Sequence, residues 1–319
     1  MDKLAEENLP WIDRPATDID GYVDGLPSAD LGYDLKDALP HWREKGYLIL
    51  KKSLDLALID AYRADLESLE RDHTSHGVLV NCASRGVVPI RELSHEELLQ
   101  PAFRVLDFHN ASTAGKRLAL ARLVVGFLRA VFDQPVVAMQ SLTFLRGSQQ
   151  GTHPDFAYVV AERPGDLAAS WIALEDVHPD AGPVGYYPGS HRIPKFDFGD
   201  GPFLTGQSTY DEHDFEAHIH RQCKERGLEL AELLIEKGDI LIWHASLAHR
   251  GTIVKNPDLT RLSLVVHYSS ERGYTRDRRA PNATPVRYFE NGACCFGDPI
   301  RPELENTFTA AGPWREAAH

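Results

Sequence analysis

The chain has 319 residues, 43% of them hydrophobic and 25% charged, with no low-complexity tract and no internal repeat, enough apolar sequence to bury the core of one large or two small domains. Its 34 Lys plus Arg stand against 47 Asp plus Glu, a formal net charge of −13, which weighs against nucleic acid or an anionic membrane as a partner. It has no run of about 18 apolar residues, no basic-then-apolar leader in MDKLAEENLPWIDRP, and four irregularly spaced cysteines (Cys82, Cys223, Cys294, Cys295), so the expectation is an unexported, cytoplasmic protein with reduced thiols.

Residues 1–35 read as an acidic arm wrapped on the surface, since the first 34 residues hold nine acids and two bases. From Ser53, a plausible N-cap, SLDLALIDAYRADLESLERD places Leu58, Tyr62, Leu66 and Leu69 on one helix face. A second amphipathic run, AGKRLALARLVVGFLRAVF, predicts one helix over 114–132, so that two helices occupy the first 135 residues. After Pro135 the texture turns to short β-rich runs: VVAMQSLTFLR, DFAYVVAE, LAASWIALEDV, PVGYYPGS, GDILIWHASLAHRG and RLSLVVHYSS. Turn signals such as RPGD, PDAG and EKGD separate most of them. Many short strands with long excursions predict a mainly β, α+β protein built on a two-sheet jelly roll, with the helices bracing one sheet. The polar stretch 195–230 reads as a lid-like insertion over the barrel mouth. Its EHDFEAHIH is a charged, helix-prone segment rather than a second metal site, and His73, His76, His191, His213, His218 and His220 read as solvated or capping residues. Residues 271–319 form a C-terminal extension packed on the same domain.

GTHPDFAYVV raises the chemical question. On a strand, residues i and i+2 share a face, so His153 and Asp155 can reach one point in space. One further imidazole completes the two-histidine, one-carboxylate set that leaves open positions on iron(II). His244 and His249 in WHASLAHRG both qualify.

Four strings, GSQQGTHPD, SWIALEDVHPDAGPVGYYPGSHR, GDILIWHASLAHRG and TRLSLVVHY, occur in this order. Through them the chain, from about residue 40 to 270, resembles the phytanoyl-CoA dioxygenase family of iron(II)- and 2-oxoglutarate-dependent oxygenases. The resemblance implies a double-stranded β-helix (cupin-like) core within a domain spanning 36–270. It implies His153, Asp155 and His249 as the iron ligands and leaves His244 as a pocket-lining or structural residue. It also implies that Arg261 holds the far carboxylate of 2-oxoglutarate, a task that suits a bidentate, permanently charged guanidinium. Ser263 can add a hydroxyl from the same strand face, and Trp171, Gln140 and Leu142 line the co-substrate wall. Where the family often has Ser after the distal His and Gly, this chain reads HRGT.

The activity implied is oxidation by O2 of an unactivated C–H of a small organic molecule, coupled to conversion of 2-oxoglutarate to succinate and CO2. The carboxylate of Asp155 favours hydroxylation over halogenation, because related halogenases give up that ligand to chloride; desaturation, ring closure and epimerisation use the same ligands. Two other readings are a catalytically silent jelly-roll binder of a small molecule or sugar, and a zinc or manganese cupin-type isomerase or hydrolase. Gln149, Gln150, Tyr158, Tyr186 and Tyr187 are expected at the pocket mouth, where they suit a polar organic substrate. The arginine-rich stretch 271–287, with five arginines and two acids, reads as a solvated extension or, more sharply, as a clamp for an anionic substrate through Arg278 and Arg279.

Overall fold

The computed structural model describes residues 9–26, 31–100, 102–159, 161–163, 165–276, 286–297 and 307–308; Arg278 and Arg279 lie outside these residues. In chain order the elements are α1 (Ile19–Asp24), α2 (Leu35–Lys45), β1 (Tyr47–Leu50), α3 (Leu56–Arg71), β2 (Leu79–Cys82), β3 (Gly86–Pro89), α4 (His95–Leu98) and β4 (Arg104–Leu106). Next come α5 (Thr113–Ala119), α6 (Arg122–Phe132), β5 (Val136–Phe144), β6 (Leu167–Ala173), β7 (Val184–Tyr186), α7 (Glu212–Glu225) and β8 (Ala231–Glu232). The chain continues through β9 (Ile240–His244), β10 (His249–Gly251), β11 (Ser263–Ser270), β12 (Arg287–Glu290) and β13 (Ala293–Phe296).

The helical half is richer than the two helices expected. The predicted face of α3 is buried, with Leu58, Tyr62, Leu66 and Leu69 all inside. Its cap, however, is Asp55, whose carboxylate accepts the Ala57 N–H at 2.8 Å, while Ser53 is turned away with its hydroxyl donating to the Lys51 carbonyl. The long run 114–132 is two helices, broken at Leu120 and Ala121. The break is stable because side chains take the carbonyls it frees: the Tyr268 hydroxyl donates to Ala119 O and the Asn291 amide to Leu120 O, both at 2.8 Å. α2 escapes the sequence pattern because Pro40 sits inside it, yet Ala38, Leu39 and Trp42 form its buried face.

Among the described residues ten strands form one large sheet, with the path β1-β9-β6-β11-β5-β4-β2-β3 and the β12–β13 hairpin joined to β5 through a parallel β13. A small sheet, β10-β7-β8, closes the second layer. The result is the expected double-stranded β-helix, with antiparallel pairing almost throughout. One predicted strand does not form among the described residues: DFAYVVAE opens with a 3-10 turn at Asp155–Ala157. Pro154 has no N–H to give a ladder, and the Asp155 carbonyl accepts instead from Tyr158 N, at 2.9 Å.

Alternation along the strands divides the core in two. Ile240 and Ile242 of β9, Ala168 and Ile172 of β6, and Leu264, Val266 and Tyr268 of β11 pack under the helices. Leu241, Trp243, Ala169, Trp171 and Val265 face the small sheet. β5 carries a bulge opposite His267 and Tyr268, where the register jumps from Gln140 to Ala138. The extra residue, Met139, lets β5 keep Gln140 and Leu142 facing inward while Ala138 joins the helix side.

The acidic arm is more than a solvated strap. Ile12 is fully buried, Trp11 donates its indole N–H to Ala130 O at 2.8 Å, and Asp13 meets His244. Beyond the barrel, β13 adds to the large sheet. Among the described residues no helix is long and apolar enough to cross a membrane.

Gly46 ends α2 in the left-handed region (φ 80°), and a Cβ there would sit 2.4 Å from Nδ1 of His191, a buried residue rather than the solvated one expected. Gly46→Ala is therefore expected to cost about 1–3 kcal/mol, from backbone strain and the clash together. A fall in the urea midpoint with an unchanged slope checks this.

Candidate metal centre

The small sheet is extended by one bridge, in which His153 and His249 exchange both backbone hydrogen bonds, at 2.9 and 3.0 Å. Each ring then donates Nδ1–H to a carbonyl two residues back, His153 to Gly151 O at 2.8 Å and His249 to Leu247 O at 3.0 Å. A carbonyl can only accept, so both rings carry their proton on Nδ1 and present the Nε2 lone pair. The turn after Pro154 brings the Asp155 carboxylate to the same point: its Oδ1 lies 3.9 Å from Nε2 of His153 and 3.6 Å from Nε2 of His249. All three donors fall within 4.8 Å of one another, and one divalent ion can serve them. His153 and Asp155 thus meet as the sequence predicts, but through a bridge and a turn instead of two positions of a strand.

The outer oxygen of Asp155 is fixed separately. The Trp243 indole N–H donates to Oδ2 at 2.7 Å. Gln140 donates through Nε2 to Nδ1 of His267 at 3.2 Å, which leaves the proton of that ring on Nε2, 3.3 Å from the same Oδ2. The angle makes this an electrostatic contact rather than a formed hydrogen bond. Burial by itself would raise the Asp155 carboxyl, but the facing His249, His267 and His153 outweigh it and hold it well below the usual carboxylate range. Burial, with His249 alongside, pushes His153 down to about 4. At neutral pH the cluster is therefore a carboxylate with neutral imidazole at His153, the protonation a metal ligand set needs.

His244 cannot join it. It shares the alternation of Ile240 and Ile242, so its ring leaves the opposite face of β9 from Trp243. There its Nδ1 accepts from Ser246 N at 2.9 Å and its Nε2 meets Asp13 Oδ2 at 3.2 Å.

The triad opens onto a cavity of about 340 Å³. Arg261, 2% exposed, lies across it with its guanidinium between Phe144 and Trp171, 5.7 and 5.6 Å from the ring centres, and donates to Gly182 O at 3.2 Å. Burial pushes it down to about 10, against the pull of Glu175, and it remains a cation at neutral pH. Its Nε and Trp171 Nε1 are buried donors without a partner, and so is the Ser263 hydroxyl. Gln140 and Leu142 line the cavity as expected; Ser263 does not reach its surface. Of the residues expected at the mouth, Gln150 and Tyr158 line it, joined by Glu212 of α7. Gln149, Tyr186 and Tyr187 do not: Gln149 accepts from Val254 N, Tyr186 packs on Tyr47, and Tyr187 faces His220. In the arginine-rich stretch, Arg276 and Arg287 pair with Glu162 and Glu271 at the surface.

Sequence reasoning missed Trp243 and His267, although both were within reach. His267 continues the alternation of Arg261, Ser263 and Val265, and Trp243 that of Leu241. Asn81 and Arg104, from β2 and β4, also line the cavity and carry no local signal.

The sequence matches the family described as Phytanoyl-CoA dioxygenase (PhyH) over residues 42–262. Solved structures of similar fold include the epimerase SnoN in complex with Fe3+, alpha ketoglutarate and nogalamycin RO (20% identity, 85% of this chain and 95% of that one, TM-score 0.55). Another is SnoK, a non-heme alpha ketoglutarate dependent carbocyclase from nogalamycin biosynthesis (18%, 88% and 98%, 0.55). A third is EctD from S. alaskensis with 2-oxoglutarate and 5-hydroxyectoine (16%, 93% and 94%, 0.54). No curated protein is significantly similar in sequence.

Replacing His249 by Ala is expected to weaken divalent metal binding at least about 100-fold, since it removes one of three donors, whereas His244→Ala should leave it within about twofold. Calorimetric titration with Mn(II) separates the two, and the reverse order would reassign the third ligand.

Proposed function

Because the chain belongs to the phytanoyl-CoA dioxygenase family, with a match over residues 42–262, we propose that it is an iron(II)- and 2-oxoglutarate-dependent oxygenase that hydroxylates an unactivated C–H of a small organic molecule, releasing succinate and CO2. The observation that carries the reading is the pairing, within one cavity, of a His153–Asp155–His249 donor set with a buried guanidinium whose Nε has no partner. Neither half suits a silent sugar binder, in which a buried cation and three convergent ligand atoms would be cost without use.

The bound metal and keto acid supply the oxidising chemistry; the protein supplies ligands, orientation and a dry wall. His153, Asp155 and His249 would hold the ion, with Asp155 using Oδ1 because Trp243 and His267 occupy its other oxygen. That arrangement keeps the carboxylate from swinging and favours one ligand atom per side chain. Arg261 would receive the far carboxylate of 2-oxoglutarate, whose oxygens supply the acceptors that Arg261 Nε and Trp171 Nε1 lack. Phe144 and Trp171 flank that guanidinium and strengthen its pairing by excluding water. The retained carboxylate ligand favours hydroxylation. Four buried cysteines, none of them in a disulfide, suit a reducing cytoplasm.

With iron(II), ascorbate and O2, the chain is expected to form succinate from 2-oxoglutarate slowly even without substrate. Arg261→Gln should raise the KM for 2-oxoglutarate by about 10- to 100-fold, the worth of a charge-assisted bond, with little change in metal affinity. A folded, iron-loaded wild type that makes no succinate and binds no 2-oxoglutarate would end the oxygenase reading.

A further inference from the structure

A second cavity, of about 400 Å³, lies across β9 from the metal centre: His244 lines this one and Trp243 the other, and among the described residues none lines both. One wall is the N-terminal arm at Leu9, Pro10 and Pro15; the others include Ser246 and Lys195, the first residue of the stretch 195–230. Its charged groups are three cations, Arg43, Arg192 and Lys195, against the carboxylate of Asp13. That carboxylate is already engaged. Nδ1 of His244 accepts from Ser246 N, so Nε2 of the same ring carries the proton and meets Asp13 Oδ2 at 3.2 Å. In a chain with 47 acids and 34 bases, a cavity with an excess of positive charge runs against the composition.

Lys195 is the group that calls for a ligand. Its ammonium donates to the Ser246 hydroxyl and lies 4.6 Å from the centre of the Phe156 ring; among the described residues it makes no other hydrogen bond and no ion pair. Asp13 draws on it only from a distance, and burial outweighs that pull and pushes it down to about 8. An ammonium has three N–H groups, so two are left without an acceptor from the protein. Such a group costs stability, which an anionic ligand returns. The two arginines keep their charge at the same cavity, because their hydrogen bonds go to neutral carbonyls. Arg43 Nη2 donates to Arg14 O and Pro15 O at 3.0 and 3.4 Å, and Arg192 Nη2 donates to Arg43 O at 2.7 Å.

We propose that this second cavity binds a small organic anion, a carboxylate or a phosphate ester, whose oxygens meet Lys195 and Ser246 and whose apolar part lies against Leu9, Pro10, Pro15 and Phe156. The oxygenase reading is not needed for it. No residue of the donor set lines the cavity, so its occupant does not reach the metal. The two sites nevertheless share a piece of backbone. Phe156 follows Asp155 directly, and its N–H is held at 2.9 Å by the carbonyl of Ala245, which stands between His244 and Ser246. A ligand packed on the Phe156 ring therefore rests against the back of the turn that delivers Asp155, which is the place for an effector rather than a substrate.

The test is calorimetric titration of the full chain with benzoate, phenyl phosphate and, as the neutral match, benzamide. Wild type is expected to bind at least one of the two anions, the tighter of them fixing the class, and benzamide at least about tenfold more weakly. Lys195→Gln should weaken the anion about tenfold or more, and Lys195→Arg should restore part of the loss. Saturating the chain with Mn(II) and 2-oxoglutarate, or replacing Arg261 by Gln, should leave anion affinity within about twofold. The proposal is overturned if neither anion binds, if benzamide matches them, or if Lys195→Gln, shown to be folded by an unchanged urea midpoint, binds the anion as wild type does. It is equally overturned if 2-oxoglutarate displaces the anion or Arg261→Gln abolishes its binding, since the probe would then sit in the metal cavity. Should Lys195→Gln not fold, Ser246→Ala takes its place with an expected loss of about threefold, and its failure to weaken the anion would count against the site in the same way. A wild type that binds the anion but neither Mn(II) nor 2-oxoglutarate would strike the oxygenase reading and leave this site standing.

Discussion

Two backbone hydrogen bonds between His153 and His249 set everything else in the site. They place the two imidazoles on one edge of the small sheet, and the 3-10 turn that follows Pro154 then has a single way to deliver Asp155. A slip of this bridge by one residue would send one ring to the other face, so the register of β10 on β7, His249 opposite Tyr186, is in effect the alignment of the donor set. The helices serve this geometry from a distance. They bury the outer face of the large sheet, whose strands β9 and β11 hold Trp243 and His267 behind Asp155.

What the sequence made legible follows the range of the interactions involved. Strands β5, β6, β7, β9 and β11 were readable as short β-rich runs, most of them bounded by turn signals, whereas β10 was read as the tail of the run GDILIWHASLAHRG and belongs to the other sheet. The break between α5 and α6 was not, because the groups that stabilise it, Tyr268 and Asn291, come from far along the chain. β2, β3 and β4 carry too little pattern to announce themselves, and with them went Asn81 and Arg104. DFAYVV was misread as a strand because its β-branched and aromatic residues outweighed Pro154 in the pattern, whereas in the fold the missing N–H decides. The donor residues were legible from spacing and family likeness, while the choice of His249 over His244 becomes physical only when β9 shows which face each side chain leaves.

The cavity inverts the electrostatics of the chain. The protein is strongly acidic as a whole, yet Arg104, Arg250 and Arg261 meet in one space against Asp155 and Glu212. Each arginine is treated differently: Arg250 lies close enough to Glu216 of α7 to feel its charge, Arg261 sits between two aromatic rings, and Arg104 makes no hydrogen bond or ion pair among the described residues.

The family match begins at residue 42 and ends at 262, but the folded unit does not. Ile12 and Trp11 seal the far side of α6, Asp13 caps the ring of His244, and both β11, which lies between β6 and β5 and carries His267, and β13 come from beyond the match. An expression boundary drawn at the edges of the matched span would strip these pieces away and leave apolar surface and unpaired sheet edges facing water. A trimmed version of this enzyme should consequently aggregate before it fails chemically, and its insolubility would say nothing about the ligands.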